Sequence, residues 1–212
     1  MQAWYRNILR WVLVGSVLSV LLASHVTRAN AGEPLDKVRQ TVDNVLTIVD
    51  NKALQPQERH AQIRQAVLQR FGFEEMAQRS MGPHWRTLTP QQRQEFVELF
   101  TDLLERSYIN RIANYKAGPQ GVRYPKEDLT GDHAIVHTEI MSEHDPLPAK
   151  VDYHLLHKDG DWKAYDIVIE GISLVNNYRT QFNTIILKDS YAGLVKQMRT
   201  KLAQEQAVPE KG

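Results

Sequence analysis

Residues 162–169 break the alternation expected of a half-solvated strand, because both parities are apolar: Trp162, Ala164 and Val168 on one, Tyr165, Ile167 and Ile169 on the other. A strand with one wet face alternates apolar with polar side chains, so this pattern predicts a strand covered on both faces. Gly171 then turns the chain, and Ile172, Leu174, Val175, Tyr178 and Phe182 recur at helical spacing, predicting a helix to about Leu187. Another helix is predicted from Ser190 to about Gln204, before a polar tail.

Helical spacing also fills the first half. Leu35, Val38, Val42, Val45 and Val49 mark an amphipathic helix. Gln55-Pro56 places a proline at the start of a second, which carries Ile63, Ala66, Val67 and Phe71. Gly72 interrupts it, and a short third helix spans 73–81 until Gly82-Pro83. Thr89-Pro90-Gln91-Gln92 is a strong start signal, with Thr at N-cap, Pro at N1 and Gln at N3. The helix it opens shows Phe96, Phe100, Leu103, Leu104, Ile112 and Tyr115, and Gly118-Pro119 and Gly121 stop it.

Beyond this point four strands are predicted, at 122–124, 134–141, 151–156 and 162–169, with Asp159-Gly160 as a tight hairpin turn between the last two. Pro146 and Pro148 mark a looser connection. Helices, then a four-stranded antiparallel sheet, then helices is an α+β arrangement. No repeat or linker divides it.

The N-terminus carries a targeting signature: Arg6 and Arg10, an apolar run over 11–23, and Ala29-Asn30-Ala31 as a small-residue cleavage site. The run is shorter than the roughly 20 residues a spanning helix needs, which favours a removed signal peptide over an N-terminal anchor. Residues 1–31 are therefore expected to be cleaved, leaving 32–212 as a single exported, soluble domain. That segment holds Arg6, Arg10 and Arg28 and no acid, so the remainder has three fewer basic groups than the full 26, hence 23 against 25 acidic, a charge of −2 instead of +1. This balance gives no electrostatic case for nucleic acid or for an anionic bilayer. The chain has no Cys, which removes disulfides, thiolate catalysis and Cys-type metal sites.

Candidate chemistry is sparse. His133 and His137 lie four apart, but on a strand that spacing is roughly 13 Å, too far to share one ion. His154 and His157 point to opposite faces, and no metal ligand is assigned. Asp152 and His154 share a strand parity as an acid–base pair would, yet no nucleophile or oxyanion device accompanies them. No GxSxG, glycine-rich phosphate loop or HExxH occurs, so no catalytic residue is assigned. Arg106, Arg111, Arg123 and Arg179 are candidates to meet a phosphate as a fork, if they are not ordinary solvated helix and strand positions.

Four blocks carry a family likeness: GPHW (82–85), EFVELFTDLLERSY (95–108), VDYHLL (151–156) and WKAYDIVIEGISLVNNYRTQF (162–182). Through them the chain resembles the MlaC family of periplasmic phospholipid carriers, also called toluene-tolerance proteins. The resemblance implies helices packed around a curved antiparallel sheet that encloses a deep apolar pocket, with two acyl chains inside and the headgroup near solvent. It implies no cofactor, phospholipid being cargo, and two partners. These are an outer-membrane lipoprotein–porin complex and an inner-membrane ABC transporter with its substrate-binding ring. On this likeness the predicted lining is Phe100, Leu104, Tyr108, Val136, Tyr153, Leu155, Tyr165, Ile167, Ile169, Val175 and Tyr178; the opposite strand parity would shift several by one residue. Readings from other classes are a small periplasmic isomerase or hydrolase on a similar pocket, and a chaperone exposing its apolar surface.

Overall fold

The computed structural model describes residues 32–115, 117–143 and 147–207; the predicted signal segment 1–31 and Pro146 lie outside them. Four helices come first: α1 (Glu33–Asp50), α2 (Pro56–Arg70), α3 (Phe73–Met81) and α4 (Pro90–Ala113), with a 3-10 turn at Gly82–Thr87 before the last. The start of α4 is the predicted reciprocal cap: Gln92 N–H donates to Thr89 Oγ1 at 3.3 Å, and Thr89 N–H donates to Gln92 Oε1 at 2.9 Å. The end of α3 falls at Gly82, whose φ of 53° and ψ of −129° only glycine adopts without strain.

The sheet has five strands where four were expected. β1 (Ala117–Thr130), β2 (His133–Ser142), β3 (Ala149–Lys158), β4 (Asp161–Ile169) and β5 (Ile172–Ser173) form one antiparallel meander in sequence order. The added strand exists because Glu170 and Gly171, with φ of 49° and 78°, make a two-residue turn that folds Ile172–Ser173 back onto Val168–Ile169. β1 extends well beyond the predicted 122–124 and takes in Gly118 and Pro119, expected as helix stops. Pro119 and Pro125 fall in the two stretches of β1 where its ladder to β2 is interrupted, so their missing N–H groups cost no ladder bond. Register shifts between Ala117 and Val122 and between Arg123 and Lys126 absorb its irregularities.

The doubly apolar β4 carries a bulge that its pattern did not reveal. Its register with β3 runs Tyr153 opposite Ile167 and His154 opposite Asp166, then Leu155 opposite Ala164, leaving Tyr165 as an extra residue. This bulge switches the parity that faces inward. Trp162 and Ala164, both fully buried, point in before it; Ile167 and Ile169 point in after it. Each parity takes its turn inside, and α3 and α5 also cover part of the other face, where Asp166 is buried. On the other face, buried Asp166 accepts from Val175 N–H at 3.0 Å and from the Ser173 hydroxyl, tying the sheet to the next helix.

That helix, α5 (Leu174–Ala207), breaks at Ser190, whose φ of 66° and ψ of 174° are not helical. The break falls where two separate helices were predicted. The first half, with α3 and α4, encloses the aromatic cluster Phe96, Phe100, Tyr178 and Phe182, its ring centroids 5.3 to 5.9 Å apart. A second cluster joins Val38 to Val136, Leu155 and Trp162 on the sheet, and a third ties α1, α2 and α4 through Ile48, Ile63 and Ile109.

Candidate functional site

Between these three clusters the helices stand off the sheet and leave a cavity of about 400 Å³, within the range of ligand sites, roughly 300–1,000 Å³. Helix α1 supplies one wall through Val38, Thr41, Val42, Val45, Leu46 and Val49, successive turns of its apolar stripe. The second half of α4 supplies another with Leu104, Tyr108, Ile109 and Ile112. The sheet provides Val122, Ile140, Val151, Tyr153, Ile167 and Ile169 from four strands, and Phe71, Phe73, Met76 and Leu174 close the side beyond β4. Exposure gives the cavity a direction: Val38 and Met76 are 1% exposed at one end, whereas Ile169 is 39% exposed at the other.

Few polar groups reach the wall. Arg111 lies at the open end, exposed, its guanidinium 5.9 Å from the Tyr108 ring centroid. Arg70, together with Thr41, is polar at the closed end and is itself buried. Its Nη1 donates to the Trp162 carbonyl and lies 3.1 Å from Asp161 Oδ1, and its Nε donates to Thr41 Oγ1 at 3.2 Å. Burial alone would raise the Asp161 carboxyl, but hydrogen bonds from Lys163 and Arg70 outweigh it and hold the group at about 2. Burial pushes the Tyr153 phenol up to about 12 and raises that of Tyr108.

The eleven residues predicted to line a pocket divide. Leu104, Tyr108, Tyr153, Ile167 and Ile169 stand on the cavity wall. Phe100, Val175 and Tyr178 belong instead to the aromatic core between α4 and α5, and Val136 and Leu155 to the packed cluster around Trp162. Tyr165, the bulge residue, lies on the other face, 4.2 Å beneath the Arg79 guanidinium. The α4 residues divide for a simple reason. Phe96, Phe100, Leu104, Tyr108 and Ile112 form one i, i+4 row that winds slowly around the helix. Its start therefore packs in the aromatic core, Leu104 touches both core and cavity, and its end lines the cavity. The α1 wall went unassigned, although its apolar spacing was visible; a stripe shows that it is covered, not by what.

The remaining candidates lie away from the cavity. Asp152 and His154 alternate with Val151 and Tyr153 and so project from the opposite face of the sheet. There His137 bridges two carboxylates, Nδ1 to Asp152 Oδ1 at 2.8 Å and Nε2 to Asp128 Oδ2 at 3.1 Å. A hydrogen bond from Lys126, then that from His137, holds the Asp128 carboxyl below its ordinary range. Of the other arginines, Arg106 donates to the Leu202 carbonyl, Arg123 pairs with Glu139, and Arg179 donates to Asn176. Only Arg111 of that set reaches the cavity.

The family profile described as MlaC protein matches residues 39–200. The chain belongs to the MlaC family. One MlaC relative is the intermembrane phospholipid transport system binding protein MlaC of Haemophilus influenzae, 23% identical over 195 residues, covering 87% of this chain and 90% of the relative. A similar solved structure is the phospholipid-binding protein of Ralstonia solanacearum, in complex with a phospholipid. It superposes with a TM-score of 0.71 at 27% identity, covering 82% of this chain and 99% of that one. No helix of this MlaC chain, among the described residues, is long and apolar enough to cross a membrane.

Proposed function

We propose that this MlaC chain is a soluble periplasmic carrier that holds the acyl chains of a phospholipid in its cavity and moves lipid between the two membranes. The observation that carries the reading is an apolar cavity, open at one end, in a chain whose fold matches a protein solved with phospholipid bound. The acyl chains lie along α1, the second half of α4 and the inner sheet face, with Leu104, Tyr108, Tyr153, Ile167 and Ile169 among their contacts. The headgroup sits at the open end, where Arg111 offers a guanidinium fork to the phosphate. The partners are an outer-membrane lipoprotein–porin complex and an inner-membrane ABC transporter with its substrate-binding ring.

Energetics favour exchange over capture from water. Two acyl chains carry about 30 methylenes, worth about 24 kcal/mol at ~0.8 each, beyond the ~18–21 kcal/mol at which non-covalent affinity saturates. A carrier therefore needs only to match the membrane-like sites of its partners while sheltering the tails in between. No proton moves in that process, so no catalyst is required. Native mass spectrometry of protein purified from its host tests the reading: phospholipid bound one to one supports it, and protein that carries none removes it.

The isomerase or hydrolase alternative makes an opposite demand. Asp152→Asn with His154→Ala should leave lipid binding and transfer nearly unchanged, because both side chains face away from the cavity. Loss of a general acid–base pair costs roughly 10²–10⁴-fold in rate. Transfer of labelled phospholipid between vesicles, with both partners present, separates the two, and a hundredfold fall at normal lipid occupancy would favour the enzyme.

Export and cleavage after Ala31 fit the start of α1. Glu127 Oε1 accepts from Gly32 N at 2.9 Å and Oε2 from Leu35 N–H at 2.7 Å, which places a carboxylate at the positive end of the helix. Cleavage at that bond would make the Gly32 nitrogen an ammonium and the contact an ion pair. Glu127→Gln should then lower the stability of the cleaved protein by about 1–2 kcal/mol, or about 3–6 °C in melting temperature. A chain extended before Gly32 should lose less, and equal losses in the two forms would count against this cleavage site.

A further inference from the structure

The closed end of an apolar cavity is an unusual place for a buried arginine. Arg70 is 9% exposed and lines the cavity at its buried end, next to Thr41. Its guanidinium is turned to the Trp162 carbonyl, Asp161 and the Thr41 hydroxyl. Asp161 is further bound by Lys163 at 3.0 Å and Lys37 at 3.6 Å, so the group is anchored from three elements. Behind it Val136, Leu155 and Trp162 are fully buried in one cluster.

We propose that Arg70, held between Thr41, Asp161 and the Trp162 carbonyl, is the floor of the cavity and sets the longest acyl chain the protein accepts. The proposal rests on the carrier reading above and names a specificity residue for it. Polar atoms satisfied by one another offer a methyl terminus nothing in exchange for displacing them, so the chain stops there. The reach is apt. From Ile169 at the open end back to Trp162 is seven steps of β4, one of them taken up by the bulge at Tyr165, so about 20 Å at ~3.3 Å per residue. An acyl chain in a fluid leaflet spans about half of a ~30 Å hydrocarbon core. A slot of that length takes such a chain with about 5 Å over, so the floor bears on longer chains, whose excess methylenes must stay in water.

Replacing Arg70 moves the floor. In Arg70→Leu the guanidinium is gone and the end of the slot turns apolar, while Asp161 keeps Lys163 and Lys37. Delipidated protein, residues 32–212, would be reloaded from detergent micelles holding equal parts of short-, medium- and long-chain phosphatidylglycerol, and the bound lipid identified by mass spectrometry. The ratio of long to medium chains should rise about tenfold over the unaltered protein, the worth of two more sheltered methylenes at ~0.8 kcal/mol each and ~1.4 kcal/mol per decade. Thr41→Leu, which fills the same end, should shift the ratio the other way. A merely structural role for Arg70 would lower occupancy for every chain length alike and leave the ratio alone.

An Arg70→Leu protein that folds, loads and shows the unaltered ratio overturns the proposal. If that variant does not fold, an unchanged ratio in Thr41→Leu does so. Unaltered protein that takes up no phospholipid of any length is a different failure, that of the carrier reading itself.

Discussion

Ile167→Glu is expected to give a folded protein stripped of phospholipid. Ile167 sits on β4 opposite Tyr153, and both contribute to the cavity wall. A side chain that borders open space can be enlarged or made polar without displacing a packed neighbour, so the fold should persist. The cargo cannot be so accommodating. A carboxylate against acyl chains must give up its hydration or its charge, at a cost of several kcal/mol for an unpaired buried ion. At ~1.4 kcal/mol per factor of ten, that is a loss of occupancy of a hundredfold or more. Circular dichroism establishes the fold, and extraction with lipid mass spectrometry reads the loading. A folded variant that keeps a normal complement of phospholipid would take Ile167 out of the lipid's path.

Phe100→Ala should do the reverse, weakening the fold and sparing the cargo. Phe100 is fully buried, with its ring 5.8 Å from Phe96, 5.4 Å from Tyr178 and 5.9 Å from Phe182. Removing it leaves a hole with no route for collapse on three sides, which for Phe→Ala typically costs about 3–5 kcal/mol. In a chain of this length that lowers the melting temperature by about 10 °C. Denaturant titration measures the loss. Below the transition, the folded protein should carry lipid at the level of the unaltered chain, because Phe100 contributes nothing to the cavity wall. Loss of lipid from protein that is still folded would return Phe100 to the lining, where the sequence had placed it.

These two residues also mark how far the sequence can be read. Both lie in apolar positions of strong elements, and both were expected to touch cargo. The side chains themselves carry no mark that distinguishes a wall from a core. Phe100 and Leu104 are one helical turn apart on α4 and share one packed cluster, yet only Leu104 also reaches the cavity. The four arginines show the same limit: only Arg111 reaches the cavity, and the buried Arg70 stood out in no local pattern.

What the chain's own sequence determined is local. Thr89-Pro90-Gln91-Gln92 closes its cap through atoms three residues apart, Phe73–Met81 is bounded by glycines, and Asp159-Gly160 turns β3 into β4. Such signals act over a few residues, so they survive without knowledge of the rest of the fold. The apolar stripes of α1 and α4 likewise announced that something covers them. Only the tertiary structure decided what that something is. The bulge at Tyr165 arises from register against β3, and it reverses which parity of β4 turns inward. The long edge strand β1 takes its extent from β2. The cavity itself is the space left where three separately packed clusters fail to meet. A void has no residues of its own, and so it cannot be written in any one stretch of sequence.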